Sequence, residues 1–237
     1  MGLVVPAVLP SSYKELEEEL ALLAGISSVS RIQIDVVDGL FASPASWPYT
    51  AHVGRLTSNM GGEMLPFLDK ISYEIDLMCL DAENAVKSWL ALGASRFTLH
   101  VEASTNLPRL LAYSKKRYGG GFAQGLVSFG CAINIMTDSA LIEQCIGEIE
   151  YVQFMGIAEI GRQGQPFDKR VLEKIKTFRA QHPEVTLQVD GGVSIENAKE
   201  LLNLGVSNLV VGSAIVRAKN PSAVIAKFES LQTPFGV

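Results

Sequence analysis

Three aspartates, Asp35, Asp76 and Asp190, each stand near the end of a short apolar run. Apolar and polar residues alternate through the first of these runs, residues 32–39, up to Gly39. This two-residue period indicates a buried strand that ends in a turn. A buried carboxylate costs free energy unless it binds a partner or exchanges a proton. We therefore predict a functional role for Asp35.

Other polar residues at strand ends allow a structural interpretation beside a functional one. Asp38 directly precedes a glycine, and we expect it to cap the following loop. His100 is either a catalytic group or a hydrogen-bonded residue inside the fold. Glu102 can bind the backbone as readily as it can contact a substrate.

Glycines follow the last three predicted strands and suggest a phosphate site. They lie in the segment from Gly161 to Gly164, in the pair Gly191-Gly192 and in Gly212-Ser213. Backbone N–H groups at glycines can approach an anion closely. Such turns can also be purely structural, but phosphate sites recur after the last strands of β/α barrels.

Helical and strand patterns alternate along the whole chain. The helical pattern of Leu16, Leu20 and Leu23, for example, ends at Gly25 before a strand. Eight buried strands are predicted, at residues 3–9, 32–37, 72–77, 97–101, 126–134, 151–157, 186–190 and 209–211. Eight parallel strands in 237 residues indicate α/β class, with residues 1–237 forming a single (β/α)8 barrel domain. A doubly wound sheet is the alternative, although its GxGxxG signature is absent.

In a barrel the carboxyl ends of the strands form one mouth, where active sites are assembled. The predicted strand ends bring acids and the glycine segments to this mouth. Residues 41–66 form an unusually long connection after the second strand, and we expect them to act as a lid.

Composition narrows the class of protein. The net charge of −5 argues against nucleic-acid binding, which requires a clustered basic surface. No apolar run approaches the ~20 residues of a membrane helix, so no membrane partner is expected. Cys79, Cys131 and Cys145 are widely spaced in apolar surroundings, which favours buried thiols and a cytoplasmic location.

Six motifs, in this order, resemble those of the ribulose-phosphate 3-epimerase family, within the ribulose-phosphate-binding barrel superfamily. The resemblance spans nearly the whole chain. The motifs are Val4-Val5-Pro6-Ala7-Val8-Leu9, Ile34-Asp35-Val36-Val37-Asp38-Gly39, Asp76-Leu77-Met78, His100-Val101-Glu102-Ala103, Val189-Asp190-Gly191-Gly192-Val193 and Val211-Gly212-Ser213-Ala214-Ile215.

The resemblance implies a phosphorylated ketose as substrate, a divalent metal ion at the barrel mouth and two aspartates that exchange a proton at C3. The paired acid and base would be Asp35 and Asp190, and Met78 would pack beside the enediolate. The phosphate would be bound by what we call the glycine cradle, Gly161, Gly164, Gly192, Gly212 and Ser213.

This chain also departs from the family pattern. Two histidines that serve the family as metal ligands are replaced by Gln33 and Asp76, and a serine after the first strand is Ala7. The loop after the sixth strand, residues 159–164, is one residue longer. The implied metal ligands are therefore Asp35, Asp76, Asp190 and Gln33.

Charge explains why these departures matter. Three carboxylates and a neutral amide sum to −3, or −1 with a dication, so without a cation the site should take up protons or be compensated by a base such as Arg162. Oxygen ligands alone favour Mg²⁺ or Mn²⁺ over Zn²⁺.

The sequence therefore predicts an isomerase that epimerises a phosphorylated ketose at C3, such as ribulose 5-phosphate, and we expect a homo-oligomer. Two alternatives remain open. One is a barrel that binds sugar phosphates with impaired catalysis. The other is a different phosphoketose isomerase, aldolase or decarboxylase on the same scaffold.

Overall fold

A computed structural model describes residues 3–50, 63–119 and 125–231. Eight parallel strands pair in chain order and β1 pairs with β8, which closes the barrel. The predicted (β/α)8 fold is thus confirmed. The strands are β1 Val4–Val8, β2 Arg31–Val37, β3 Ser72–Met78, β4 Arg96–His100, β5 Ser128–Ile133, β6 Tyr151–Met155, β7 Thr186–Asp190 and β8 Asn208–Val211.

Helices cover the outside of the barrel, and the first of them shows how their ends are fixed. Ser12 accepts a hydrogen bond from the Glu15 N–H group as the N-cap, and Leu16, Leu20 and Leu23 form the buried stripe. The described helices are α1 Tyr13–Ala24, α2 Ala82–Ala91, α3 Leu107–Tyr118, α4 Ala140–Glu143, α5 Arg170–Gln181, α6 Ile195–Asn203, α7 Ser213–Val216 and α8 Pro221–Glu229.

The barrel separates two kinds of interior. Between strands and helices lies a hydrophobic core with large, fully buried side chains such as Trp89, Phe97 and Phe178. The inside of the barrel is polar instead, because side chains alternate along each strand. Its buried members are Arg31, Gln33, Asp35, Glu74, Asp76, Thr98, His100, Gln153, Gln188, Asp190 and Asn208.

Two predicted strands are shorter than expected. The strand predicted at 126–134 spans Ser128–Ile133, and the one predicted at 151–157 ends at Met155. The second ends early because the Gly156 N–H group donates to the Asp190 carbonyl at 2.6 Å, after which the chain leaves the sheet.

The long connection lies only partly within the described residues, since 51–62 fall outside them, and its predicted lid role stays a prediction. Its first residues pack at the mouth, where the Phe41 ring lies 5.4 Å from the His100 ring. Trp47 is buried between Tyr13 and Trp89.

The remaining expectations concern the cysteines and the membrane. All three cysteines are buried free thiols, as predicted. Within the described residues, no helix is both long and apolar enough to traverse a bilayer.

Candidate active site

Three buried carboxylates meet at the carboxyl ends of the strands. Asp35 ends β2 beside Asp76 of β3, with which it is in register. Asp190 is the last residue of β7. Carboxylate oxygens of the three side chains lie within 4.8 Å of one another. The structure thus brings together the three acids that the sequence singled out.

Gln33, two residues before Asp35, joins two of these acids. Its Nε2 donates to Asp35 Oδ1 at 2.8 Å and to Asp190 Oδ2 at 2.7 Å. The amide nitrogen, not the oxygen, therefore faces the carboxylates. Gln33 is a hydrogen-bond donor here, and it would act as an oxygen ligand only with its amide reversed.

Two further glutamines support this arrangement. Gln153 Nε2 donates to Asp76 Oδ2 at 3.0 Å and lies 3.4 Å from Asp190 Oδ2. Below them, Gln188 Nε2 donates to Gln33 Oε1 at 3.3 Å and to Gln153 Oε1 at 2.8 Å. Because Gln188 occupies both amide oxygens, the two nitrogens are left to point at the acids.

Burial and mutual repulsion shift the protonation of the aspartates. Burial raises the pKa of Asp190 to about 7, and the nearby charge of Asp76 acts in the same direction. Burial also raises the pKa of Asp35 well above its usual range, with Asp190 and Asp76 adding to the effect. The hydrogen bonds from Gln33 oppose both shifts but do not cancel them.

His100 is paired with Asp76, with its Nε2 3.0 Å from Asp76 Oδ1. Burial lowers the pKa of His100, but the Asp76 carboxylate, joined by Glu102 and Asp190, outweighs burial, so that the pKa is raised. Glu102 Oε1 accepts the N–H group of Asn134 at 2.8 Å, which is the backbone role among the two considered.

Asp38 has the capping role expected from its position before Gly39. Its Oδ1 accepts the N–H groups of Leu40 and Phe41, each at 2.7 Å. Its Oδ2 accepts the Leu80 N–H group at 2.8 Å, so one carboxylate joins the loops after β2 and β3.

A cavity of about 70 Å³ opens beside the acids. Asp35 and Asp190 line it together with Met78 and all members of the glycine cradle. Gln33 and Asp76 do not line it, because they lie deeper in the barrel. The cavity therefore connects the carboxylates to the glycine segments.

Two glycines of the cradle are required by geometry. Gly192 has a φ of +66°, and a Cβ there would lie 2.6 Å from the Phe167 Cα. A Cβ at Gly212 would lie 2.8 Å from Gln163 Nε2. Any side chain at these positions would thus displace the wall of the cavity.

Several residues of the site escaped the sequence analysis. Gln153 and Gln188 look like ordinary polar positions of alternating strands, and only the closed barrel reveals that they point inward. Arg217 was also missed, although its Nη1 would lie 3.7 Å from a Cβ at Gly164. Arg162 lines the cavity, and its Nε donates to the Ser43 carbonyl at 3.1 Å rather than to an acid.

The acid cluster fits a hard divalent metal ion. Six oxygen ligands at ~2.1 Å from an ion lie about 3 to 4 Å from each other, which is close to the spacing of the three carboxylates. Their buried negative charge also calls for a cation or for protons. Among the described residues, Asp35, Asp76 and Asp190 are the residues that could hold it.

A closed (β/α)8 barrel whose acids and glycine cradle share one mouth defines the class of barrel enzymes that react at the carboxyl ends of their strands. Within that class, a sequence model of the ribulose-phosphate 3-epimerase family matches residues 3–216. The chain belongs to the ribulose-phosphate 3-epimerase family and is an isomerase.

Individual relatives agree with this assignment. The ribulose-phosphate 3-epimerase of Escherichia coli (strain K12) is 28% identical over 96% of this chain and 95% of its own. That of Schizosaccharomyces pombe is 24% identical over 94% of this chain and 90% of its own.

Solved structures agree in fold. KGPDC from Streptococcus mutans superposes with a TM-score of 0.68 at 17% identity, covering 98% of this chain and 97% of its own. The 3-hexulose-6-phosphate synthase from Salmonella typhimurium has a TM-score of 0.64 at 14% identity, with 98% of each chain covered.

Proposed function

We propose that this protein epimerises a phosphorylated ketose at C3, interconverting ribulose 5-phosphate and xylulose 5-phosphate or a close analogue. One observation carries the proposal. Asp35 and Asp190 share a single amide donor and line the same cavity. Their raised pKa values favour retention of a proton by the pair near neutral pH.

Inversion at C3 needs one ionised and one protonated carboxyl group. In one direction Asp35 removes the C3 proton as a base and Asp190 delivers a proton to the opposite face as an acid. In the reverse direction the two roles are exchanged. A raised pKa makes each carboxylate a stronger base than an ordinary aspartate, which suits abstraction from carbon next to a carbonyl.

The substrate's phosphate is assigned to the glycine cradle. Its backbone N–H groups suit an anion, and Arg162 and Arg217 add positive charge beside it. Met78 lines the cavity on the side of the acids and would exclude water from the reacting carbon. A structural neighbour, KGPDC, has been crystallised in complex with ribose 5-phosphate, which is consistent with a phosphorylated sugar.

The metal ion is assigned to Asp35, Asp76 and Asp190, with Mg²⁺ or Mn²⁺ favoured over Zn²⁺ because the ligands are oxygens. When bound, such an ion stabilises negative charge on oxygens of the substrate. The carboxylates themselves move the proton, and His100 holds Asp76 in place.

Proton exchange measured by ¹H NMR tests the reaction. Ribulose 5-phosphate in D₂O with the protein and added Mg²⁺ should acquire deuterium at C3 and yield xylulose 5-phosphate. For Mn²⁺, which broadens resonances, the ion is removed by chelation before the spectrum is recorded. Asp35→Asn should abolish exchange because the amide cannot accept the proton, whereas Asp69→Asn, at an exposed acid outside the site, should leave it unchanged.

The alternative is a barrel that binds sugar phosphates without turnover. It is favoured by Gln33, whose amide occupies one oxygen of each catalytic acid. Saturable binding of ribulose 5-phosphate without any deuterium at C3, with every metal ion tried, would establish this alternative and exclude the epimerase.

A further inference from the structure

A second polar cavity lies at the opposite end of the barrel from the mouth. Its volume is about 160 Å³, roughly ten times the ~15 Å³ that one water molecule needs by the same measure. It is formed where β2 to β5 begin, and its polar lining consists of Ser30, Arg31, Ser72, Ser95, Arg96 and Ser128.

Two arginines share one acid at this end. Glu74 Oε2 lies 3.0 Å from Arg96 Nε and 3.6 Å from Arg31 Nε. The Glu74 side chain is fully buried, and those of Arg31 and Arg96 are 9% and 15% exposed. Among the described residues that line the cavity there is no carboxylate. One positive charge is therefore left over in a largely buried place, which is costly without an anion.

Most of the guanidinium donors are not used. Arg31 donates to Asn208 Oδ1 at 2.6 Å, and Arg96 donates to Glu74 and to Ser128. A guanidinium group carries five N–H bonds. Within the described residues, these three hydrogen bonds leave seven of the ten donors without a protein acceptor.

The arginine heads are held in fixed positions before any ligand arrives. The Arg96 guanidinium stacks on the Tyr151 ring, 3.4 Å from its centroid, while its Nε is bound to Glu74. The Arg31 head is fixed by Asn208. Around them, the hydroxyl groups of Ser72 and Ser95 lie 3.2 Å apart at the rim and can each donate inward.

From this arrangement we propose that the cavity binds a phosphate group, at a site separate from the glycine cradle. Planar guanidinium forks match the oxygens of phosphate, and hydroxyl groups supply the remaining donors. The phosphate group can come from the free ion or from a sugar phosphate whose sugar extends into solvent. The site does not depend on the proposed epimerase reaction.

Calorimetric titration with inorganic phosphate tests the proposal in a Ser213→Asp variant, in which the added carboxylate repels anions from the glycine cradle. Sodium chloride of matched ionic strength serves as the reference. We expect one phosphate to bind. Ser72→Asp or Ser30→Asp, placing a carboxylate on the rim of the cavity, should weaken binding by about tenfold or more.

Ser27→Asp is the matched control, because Ser27 is an exposed serine that does not line the cavity, and it should leave the affinity unchanged. Ribose 5-phosphate is titrated in parallel. Equal effects of Ser72→Asp on both ligands mean that the phosphate group alone is recognised, and an effect on inorganic phosphate alone identifies the free ion.

Two results would overturn the site. One is no phosphate uptake by the Ser213→Asp variant at millimolar concentrations. The other is an affinity that Ser72→Asp and Ser30→Asp change no more than Ser27→Asp does. Either would leave Arg31, Glu74 and Arg96 as a structural ion-pair network.

Discussion

At the scale of single residues, the amide of Gln33 determines how charge is distributed in the site. An amide neither gains nor loses a proton near neutral pH. Where the family resemblance places an imidazole, this chain has a group that only donates hydrogen bonds to the acids. Changes in proton occupancy around the Gln33 amide must therefore be carried mainly by the carboxylates and by His100.

The raised pKa of Asp190 makes stability depend on pH. The folded protein keeps a proton on Asp190 up to about pH 7, whereas the unfolded chain loses it near the ordinary pKa. Stability is therefore highest at low pH on this account and falls as the pH rises through 7. We expect the metal-free protein to lose on the order of 3 kcal/mol between pH 5 and pH 8 in urea unfolding.

Asp190→Asn is the comparison variant, since it removes the titrating group but keeps the shape. Its unfolding free energy should change much less over the same interval. Equal pH dependence in both proteins would show that Asp190 does not hold a proton in the fold.

Replacing Gln33 with histidine should change metal preference. Calorimetry on metal-stripped protein should find Mn²⁺ or Mg²⁺ binding and weak Zn²⁺ binding, because the available ligands are carboxylates. Gln33→His adds an imidazole next to Asp35 and should strengthen Zn²⁺ binding by at least about tenfold.

Gln33→Asn controls for the loss of the bridging amide and should not strengthen Zn²⁺ binding. Tight Zn²⁺ binding with negligible Mn²⁺ binding in the unaltered protein would contradict the oxygen-ligand interpretation.

At the scale of elements, Asp38 ties together the loops after β2 and β3 that flank the catalytic acids. Asp38→Ala removes the acceptor for three backbone N–H groups and should lower the free energy of unfolding by about 1–3 kcal/mol. Asp38→Asn retains one acceptor oxygen and should cost less.

Chemical denaturation of both variants provides the measurement. Equal stability of Asp38→Ala and the unaltered protein would mean that the loops hold their positions without this carboxylate.

The sequence was sufficient for the elements but not for their interior. Strand alternation and closing glycines predicted eight strands, and Asp35, Asp76 and Asp190 were found because acids stand out at the ends of apolar runs. Gln153 and Gln188 did not stand out, because an amide in a strand has the same pattern whether it faces water or the barrel axis. Arg31 and Arg96 are 65 residues apart, and only barrel closure brings them to one carboxylate.

At the scale of the whole molecule, the predicted homo-oligomer is still to be tested. Leu40 and Met136 are each 79% exposed in the isolated chain, and exposed large apolar side chains often mark contact surfaces. Light scattering coupled to size-exclusion chromatography should give a multiple of 25.6 kDa. A mass of one chain at micromolar concentration would refute the expectation.

The polar column inside the barrel also has a thermodynamic consequence. Unfolding would hydrate the amides and carboxylates of Gln33, Glu74, Gln153 and Gln188, and hydration of polar surface lowers the heat capacity whereas hydration of apolar surface raises it. An average chain of this length has a heat-capacity change of about 3 kcal/mol/K on unfolding. Calorimetry should find a smaller value here, so that stability varies less steeply with temperature and cold weakens this barrel less than it would one filled with hydrocarbon.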